Sequence, residues 1–375
     1  IGLADEELVG ALGLARREEG RLVPTVAGLL ILGREAALRE HLPTHEVAFQ
    51  VLDGTDVRYN EFRRMPLLKT FEWVEQQFHT RLVEKELQVG LFRVPVPNYA
   101  PRAFREAFVN SLVHRDYTRL GAVHVRWELD AIVISNPGGF VEGVTLDNLL
   151  VVEPRPRYPL LADAIKRIGL AERTGRGIDL IFQGLLRYGR RAPDYRRSDT
   201  KSVVVVLSGG EADLGTLQTI IEEENRLRNS LPVDSMIALS LLRQERRIDT
   251  ARLAASIQKD EATSRQVMER LVEAGLVEAH GVKKGRTYTL SPKVYQRMGN
   301  PADYVRQVGF DPIQHEQMVL QYARAHQRIT RKDAASLCRI SEDQASRLLR
   351  KLSHENKLKQ EGKGRGTVYV LPSIE

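Results

Sequence analysis

The sequence predicts an α+β fold, with a two-layer sandwich of helices over antiparallel strands followed by a repeated helical unit. Residues 123–129 alternate apolar and polar side chains, residues 130–131 form a turn, and the apolar residues 132–134 return, which is typical of a hairpin. Segments with helical spacing of apolar residues flank this hairpin, so helices and antiparallel strands are mixed along the chain. Similar segments that lie 80–81 residues apart near the C-terminus indicate an internal repeat.

The charge of the chain is concentrated in its C-terminal part. The 375 residues are enough for two to four domains, and 42% of them are hydrophobic, which excludes wholesale disorder. From Arg228 onward there are 26 basic and 17 acidic residues, a net charge of +9, whereas the first 227 residues carry −2. This distribution favours a polyanionic partner for the C-terminal part.

Cysteine content and hydropathy exclude several classes of protein. The single cysteine, Cys338, excludes an internal disulfide framework and a cysteine-rich zinc site. The sequence contains no run of about 18 apolar residues, so we predict no membrane span. The chain begins at Ile1 without a signal-like segment, and we therefore expect a cytoplasmic fragment of a longer protein.

The first half of the chain divides into elements as follows. Residues 1–58 predict two helices and a strand, and residues 63–87 predict a long amphipathic helix. The stretch 95–207 predicts, in order, a helix over 101–117, the hairpin, a helix over 160–168, a glycine turn at 175–177 that opens another helix, and a strand over 201–207. Residues 59–210 are therefore one predicted domain, and 211–229 a linker.

The internal repeat gives the organisation of the second half. Ala254-Ala255-Ser256-Ile257 matches Ala334-Ala335-Ser336-Leu337, and residues 285–290 align with 366–371. Each copy predicts a helix, a short helix, a longer helix and a basic hairpin. That order is typical of a winged helix-turn-helix, so we predict two such domains, at 230–298 and 302–375.

Three short motifs in residues 59–210 are candidates for chemistry. Glu106 and Asn110 are four residues apart on a predicted helix and project from the same face, where a carboxylate could polarise water and an amide oxygen could hold Mg²⁺. Asn136-Pro137-Gly138-Gly139 follows a strand. Gly175-Arg176-Gly177 precedes a helix, whose first N–H groups can bind phosphate. Each motif alone is a weak signal, because a Glu-Asn pair is usually solvated and a glycine turn is usually only a turn.

Taken in order, these motifs resemble one family. The stretches 105–117, 134–139 and 175–178, together with the apolar run 27–33, are similar to the GHKL (Bergerat-type) ATP-binding domain of the AlbA/Schlafen-like transcriptional regulators. This family is also described as related to the C-terminus of the RecG helicase. The resemblance covers about residues 1–210. It implies that an AlbA-like domain precedes residue 1, that ATP and Mg²⁺ are the cofactors, and that the protein forms a homodimer.

The resemblance also implies a role for individual residues. Glu106 matches the general base and Asn110 the Mg²⁺ ligand, while Asn136 occupies the position of an aspartate that contacts adenine. Gly138 and Gly139 match the turn behind the base, Gly175, Arg176 and Gly177 match the phosphate-binding turn, and residues 140–172 match the lid.

Two departures from the family pattern are visible. Asn136 replaces the aspartate, although its amide can still accept a hydrogen bond from the adenine amino group and donate one to the ring. Arg157-Tyr158-Pro159 stands where the family often has Arg-Asn-Pro.

His114, Arg115 and Asp116 are interpreted as a helix C-terminus, with a phosphate or cation contact by Arg115 or Asp116 as the alternative. There is no Gly-x-x-x-x-Gly-Lys-Ser/Thr motif, so a P-loop motor is excluded.

The two predicted winged helices supply the candidate DNA contacts. Recognition-like helices would enter the major groove, and basic wings would contact phosphates. The alternative is that both copies serve as protein-interaction modules. The candidate residues for DNA are Thr263, Ser264, Arg265, Arg270, Lys283, Lys284 and Arg286 in the first copy, and Gln344, Arg347, Arg350, Lys363 and Arg365 in the second.

The sequence therefore predicts an ATP-binding, DNA-binding transcriptional regulator with nucleotide-coupled dimerisation. One alternative is an enzyme, a weak Mg²⁺-dependent ATPase that acts on DNA in genome maintenance or defence. A second alternative is a protein-interaction scaffold with a degenerate nucleotide pocket. Phosphate release that DNA stimulates would favour the enzyme, whereas preference for a particular DNA sequence without turnover would favour the regulator.

Overall fold

The chain forms two compact units, Ile1–Tyr288 and Thr289–Glu375, in a computed structural model. The structure describes residues 4–89, 92–171, 175–281, 285–297, 312–338, 340–362 and 367–372. Among these residues, no helix is both long enough and apolar enough to cross a membrane.

The N-terminal segment contains more elements than the sequence predicted. The predicted first and second helices are present as α1 (Asp5–Ala11) and α2 (Val26–Leu32). Between them lies a hairpin of β1 (Ala15–Glu18) and β2 (Arg21–Pro24), and after them a third helix, α3 (Glu35–His41). Neither addition was predicted, because the two strands are short and mostly exposed and therefore leave no apolar alternation.

Gly28 allows α2 to pack closely against the chain before the hairpin. A Cβ atom built on Gly28 would lie 1.9 Å from the Leu14 carbonyl oxygen, so no side chain fits there. We expect Gly28→Ala to lower the free energy of unfolding by about 1–3 kcal/mol, the usual cost of overpacking. Gly10→Ala is the matched control, since a Cβ atom at Gly10 meets nothing within 4 Å. Urea unfolding of both variants checks this prediction, and equal stabilities would contradict it.

A five-stranded mixed sheet forms the framework of the first unit. Its strand order is β4-β3-β7-β8-β9, and β3–β7 is its parallel pair. The predicted hairpin is confirmed by the pairing of β7 with β8. The strands of this sheet are β3 (Val47–Asp53), β4 (Asp56–Arg63), β7 (Val123–Trp127), β8 (Ala131–Pro137) and β9 (Ser202–Ser208).

The predicted long helix is shorter than expected. Helix α4 (Leu67–Arg81) ends at Arg81, and the chain continues into a separate hairpin of β5 (Glu84–Val89) and β6 (Phe92–Pro97). Residues of α4 that face the core, such as Phe71, Val74 and Phe78, are buried as their spacing predicted. The prediction of helix up to residue 87 was wrong because β5 pairs with β6 along its whole length.

Helix α5 (Pro101–Val113) connects the sheet to the other helices. It packs against β7, β8 and β9 and also against α6 (Pro159–Ile168) and α7 (Gly177–Leu186). The ring of Phe104 stacks on that of Phe78 with centroids 4.2 Å apart. A Cβ atom at Gly184 would lie 3.0 Å from Ala103, so glycine permits the close approach of α7 to α5.

The stretch interpreted as a linker, 211–229, contains a packed helix, α8 (Leu214–Leu227). Its residues Leu217 and Ile220 are buried. Asp213 caps α8 by accepting a hydrogen bond from the Thr216 amide at 2.7 Å, and it also pairs with Arg243 at 2.8 Å. A flexible linker would not make these contacts, so α8 is an ordered part of the first unit.

After α8, the order of elements follows the predicted repeat. Three helices, α9 (Val233–Glu245), α10 (Thr250–Ile257) and α11 (Glu261–Glu273), precede a hairpin of β10 (Val277–His280) and β11 (Thr287–Leu290). Asp249 and Asp260 cap α10 and α11 through their side chains. A short helix, α12 (Pro292–Arg297), follows.

The second unit contains the second copy of this order. Its elements are α13 (Pro312–His326), β12 (Ile329–Thr330), α14 (Arg331–Cys338), α15 (Glu342–His354), β13 (Lys359–Glu361) and β14 (Val368–Val370). The strands form a sheet in the order β12-β14-β13. Leu349, Leu352 and Tyr369 lie in its core, together with Cys338, whose thiol is buried.

Candidate nucleotide-binding site

A cavity of about 410 Å³ lies between α5, the adjacent strands β8 and β9, and the turn before α7. Residues 149–156 border it on another side. Three separate sequence motifs therefore meet at one cavity, although they are up to about 70 residues apart in the chain. Of the predicted nucleotide-site residues, those that line the cavity are Glu106, Asn110, Asn136, Gly139, Gly175, Arg176 and Gly177.

Glu106 and Asn110 both point toward the first residue of α7. A Cβ atom built on Gly177 would lie 3.4 Å from Glu106 Oε2 and 3.4 Å from Asn110 Nδ2. A side chain at this position would therefore fill the space beside both polar groups. Glu106 is 8% exposed, so its carboxyl group is largely shielded from bulk solvent.

The turn before α7 brings backbone amides to the same end of the cavity. Gly175 adopts a φ of +76°, which glycine tolerates, and a Cβ atom there would lie 2.5 Å from the Pro154 ring. The first N–H groups of α7 have no partner within the helix itself. Their direction and the helix dipole favour an anion at this end of the cavity.

Another part of the cavity lining is apolar and carries one amide. Asn136, near the end of β8, is 4% exposed, and its Nδ2 donates to the Pro137 carbonyl at 3.2 Å. The neighbouring cavity walls are formed by the side chains of Ile134, Phe140, Tyr195, Val203 and Val205. Apolar walls with a single oriented amide suit a flat heterocycle that has polar edges.

Gly138 lies outside the cavity lining, unlike the other predicted site residues. Its φ is +92°, and a Cβ atom there would lie 2.6 Å from that of Asp116. Arg157 reinforces the same turn, because its guanidinium donates to the carbonyls of His114, at 2.9 Å, and Gly139. Gly138 therefore shapes the turn that the resemblance places behind the base, and its assignment to the nucleotide site stays a prediction.

The structure gives no support to the alternative that Arg115 or Asp116 contacts phosphate or a cation. Arg115 is fully buried and donates to the backbone carbonyls of Thr44 and Gly121. Asp116 accepts hydrogen bonds from Thr118 and Arg119. Burial raises the pKa of Asp116, but the Thr118 hydrogen bonds and the charges of Arg157 and Arg119 outweigh burial and hold the pKa below the usual range. Neither residue lines the cavity. Both have structural roles that fix the chain after α5.

His114 lines the cavity in its neutral form. Burial lowers its pKa from 6.5 to about 4, and the nearby charges of Arg157 and Lys166 lower it further. Burial likewise lowers the pKa of His45 to about 4, although a hydrogen bond to the Met65 carbonyl opposes the shift.

These two histidines predict a loss of stability in mild acid. Both pKa values are lower in the folded chain, so the unfolded chain binds more protons as the pH falls from about 6.5 to about 4. Across that range each histidine should cost about 3 kcal/mol of unfolding free energy. Urea unfolding at several pH values should show a shallower loss for His114→Gln than for the wild type. His41→Gln, at an exposed position, is the control, and an unchanged slope in His114→Gln would contradict the prediction.

Several charged residues of the cavity were missed by the sequence analysis. Lys166 on α6, Arg155 and Glu153 in the loop, and Asp179 on α7 all line it. Burial raises the pKa of Asp179, and the charge of Lys259 opposes this shift. None of these residues stands in a recognisable motif, because the fold alone brings them to the cavity.

The side chains present fit a magnesium ion that a nucleotide brings with it. Within the described residues, no group of three or more His, Cys, Asp or Glu side chains could hold a metal by itself. Mg²⁺ commonly uses one or two protein oxygens and completes its shell with phosphates and water. Asn110, beside the first residue of α7, meets that requirement.

The residues of the first copy that were predicted to contact DNA differ in how exposed they are. Arg265 and Arg270 are exposed and Thr263 is half-buried on α11. Ser264 is fully buried and donates to the Asp260 carbonyl at 3.0 Å, so the prediction that it faces a groove was wrong. Arg286 lies over the Tyr288 ring, 5.4 Å from its centroid. Lys283 and Lys284 lie outside the described residues.

In the second copy, Gln344, Arg347 and Arg350 are exposed on α15. Gln344 also forms a capping box with Ser341, in which its side chain accepts from the Ser341 amide at 3.0 Å. Lys363 and Arg365 lie outside the described residues.

Comparison with known proteins gives two similarities. Residues 121–207 match the family described as "Putative ATP-dependent DNA helicase recG C-terminal". The crystal structure of the DIP2311 protein from Corynebacterium diphtheriae is similar over 79% of this chain and 59% of that chain, with 25% sequence identity and a TM-score of 0.65. No curated protein matches the chain. The chain spans less than two thirds of the DIP2311 protein. Over residues 121–207, it is similar to an ATP-dependent, helicase-related family.

Proposed function

We propose that this chain is an ATP-binding, DNA-binding transcriptional regulator, and that the cavity beside α5 binds Mg²⁺-ATP. One observation carries the proposal. The cavity lining combines a polar group, formed by Glu106, Asn110 and the N-terminus of α7, with Asn136 and apolar side chains. ATP has the same division, with a flat base at one end and a chain of phosphates at the other.

Asn136 would recognise the base of the nucleotide. Its amide has both a donor and an acceptor, so it can pair with the adenine amino group and the adjacent ring nitrogen. The apolar walls of Ile134 and Val205 would pack against the faces of the ring. Guanine carries a carbonyl where adenine carries the amino group, and this difference gives a basis for preferring ATP.

The phosphate end would be held by backbone and by cations. The N–H groups at Gly177 and the dipole of α7 attract anions, and Arg176 and Lys166 add positive charge to the lining. The oxygen of Asn110 would hold Mg²⁺, which neutralises phosphate charge when bound. We infer from this arrangement that residues 59–210 form a GHKL-type domain.

Glu106 supports a second candidate function, a weak ATPase that acts on DNA. Its carboxylate lies beside Asn110 and the phosphate end, where it could orient a water molecule as a general base. The family matched by residues 121–207 is described as ATP-dependent. Phosphate release that increases with added duplex would favour this candidate. The scaffold alternative has less support, because the cavity keeps seven of the predicted site residues.

The DNA-binding half of the proposal concerns residues 230–298 and 302–375. We infer that both are winged helices, because each has three helices before a hairpin or small sheet. The net charge of +9 from residue 228 onward would attract the phosphates of DNA.

We further propose that ATP promotes a homodimer, which would place these domains along a two-fold DNA site.

Thermal unfolding tests the nucleotide part of this function. ATP with Mg²⁺ should raise the melting temperature, because a ligand at about 100 times its Kd stabilises the folded state by about 2.7 kcal/mol. GTP at the same concentration should raise it less. Light scattering with a non-hydrolysable ATP analogue should show a dimer. A melting temperature that no nucleotide changes would contradict the proposal.

A further inference from the structure

Two hydrogen bonds join the loop beside the cavity to the turn between α10 and α11. Gln258 Oε1 accepts from the Leu150 amide at 2.8 Å, and Gln258 Nε2 donates to the Leu146 carbonyl at 2.7 Å. Leu150 itself lines the cavity. A single side-chain amide therefore contacts this loop at two points four residues apart. The loop, residues 140–156, is the first part of the lid predicted over 140–172 and is here called the lid.

The lid is held by the packing of Phe140 and Leu149 against the hydrophobic core and by this contact with Gln258. Asn148 braces the lid internally, by accepting from the Thr145 amide at 2.8 Å and donating to the Gly143 carbonyl at 2.9 Å. Leu146 and Val151 remain 38% and 45% exposed, so their side chains anchor it only partly. In the described part of the chain, residues 145–152 form hydrogen bonds with one residue outside the lid, Gln258.

The backbone of Gln258 supports a specific role for its side chain. Its φ is +59°, in the left-handed region, where it caps α10 and donates its amide to the Ala254 carbonyl. Glycine and asparagine are favoured in this conformation, whereas glutamine is not. The two contacts with the lid explain why a long amide occupies a position whose backbone favours a shorter residue.

The next residue of the same turn lies near the other side of the cavity. Lys259 pairs with Asp234 of α9 at 2.6 Å. The charge of Lys259 also acts on Asp179, which belongs to the first turn of α7 and lines the phosphate end. Asp260, which follows, caps α11 by accepting from the Thr263 amide at 2.7 Å. Three consecutive residues thus connect the lid, the surroundings of α7 and the start of α11.

We infer that Gln258 is a positioning residue that holds the lid over the nucleotide cavity and makes nucleotide release depend on the turn that begins α11. This inference rests on the proposed function and adds a regulatory connection to it. Coupling between two sites is reciprocal for binding free energies. A partner that moves the start of α11 therefore changes nucleotide affinity, and nucleotide changes the affinity for that partner by the same factor.

Gln258→Asn is the variant that tests this connection. Asparagine keeps the amide group and tolerates the left-handed backbone, but it is one methylene shorter and cannot keep both hydrogen bonds. Gln266→Ala is the matched control, because Gln266 is an exposed glutamine on α11. Both variants should stay folded at the temperature of the binding assay, as melting curves will show, which separates a positioning role from a loss of folding.

Two measurements on the full chain give the expected results. Hydrogen exchange without nucleotide should be faster at the Leu150 amide in Gln258→Asn and unchanged in the control. A fluorescent ATP analogue with Mg²⁺ should be released about ten-fold faster from Gln258→Asn, since two hydrogen bonds of ordinary strength account for about that factor.

The outcomes separate this inference from the proposed function. If wild type and Gln258→Asn bind the analogue and release it at equal rates, the inference is overturned and the nucleotide site stands. Faster exchange at Leu150 without faster release also overturns it, because the contact would not govern the lid. If the wild-type chain binds no nucleotide, both the proposed function and the inference fail.

Discussion

Replacing Asn110 with alanine is expected to abolish Mg²⁺-dependent ATP binding. The Asn110 amide lies at the polar end of the cavity, beside Glu106 and the first residue of α7. Mg²⁺ bound with a nucleotide commonly uses one or two protein oxygens, so loss of this oxygen would remove the protein ligand assigned to the ion. Calorimetric titration with ATP and Mg²⁺ should show heat of binding for the wild type and none for Asn110→Ala.

Two further variants make this result specific. Glu106→Gln removes the carboxylate and keeps the shape, so it should bind ATP and lose any hydrolysis. Asn60→Ala changes an asparagine on the edge strand β4, where it accepts a hydrogen bond from Gln50, and should bind ATP like the wild type. Unchanged affinity in Asn110→Ala would show that the assignment of this residue is wrong.

Removing the basic residues of the first predicted wing is expected to weaken duplex binding on all sequences alike. Lys283, Lys284 and Arg286 would contact phosphates, which carry no sequence information. Each lost phosphate contact should lower the slope of log affinity against log salt by about 0.9. Fluorescence anisotropy of the full chain with alanine at all three positions, across a salt series, measures this slope.

Arg265→Ala and Arg347→Ala provide the contrast. These exposed arginines lie on α11 and α15, so they should change sequence preference, by about 1–3 kcal/mol if either pairs with guanine. Alanine at Arg16, Arg17 and Arg21 removes three positive charges from the first hairpin and is the charge-matched control. Equal losses of affinity in the control and the wing variant would mean that only overall charge matters. Absence of duplex affinity in the folded wild type at low salt would favour the interaction-module alternative.

The parts of the fold that the sequence predicted are those with strong periodicity. Strand β7 alternates buried and half-buried residues over its five positions, and α5 buries Phe104, Phe108 and Leu112 at helical spacing. The hairpins β1–β2 and β5–β6 have no comparable signal, because most of their side chains are exposed. Ser264 was placed wrongly because a serine inside an amphipathic helix can satisfy its hydroxyl at the carbonyl one turn back.

The candidate site was predictable where its residues form motifs. Glu106 and Asn110 were found from their spacing and context, and the structure brings them to the turn at Gly177. Lys166 could not be found in this way, since its place in the cavity depends on how α6 packs. The same is true of Gln258, whose contact with Leu150 joins residues 108 positions apart in the chain.

A structure of the chain with Mg²⁺ and a non-hydrolysable ATP analogue tests the central claim most directly. The account predicts adenine beside Asn136, phosphates at the N-terminus of α7 and Mg²⁺ on the oxygen of Asn110. Nucleotide bound elsewhere on the chain, or an empty cavity at saturating nucleotide, would contradict it.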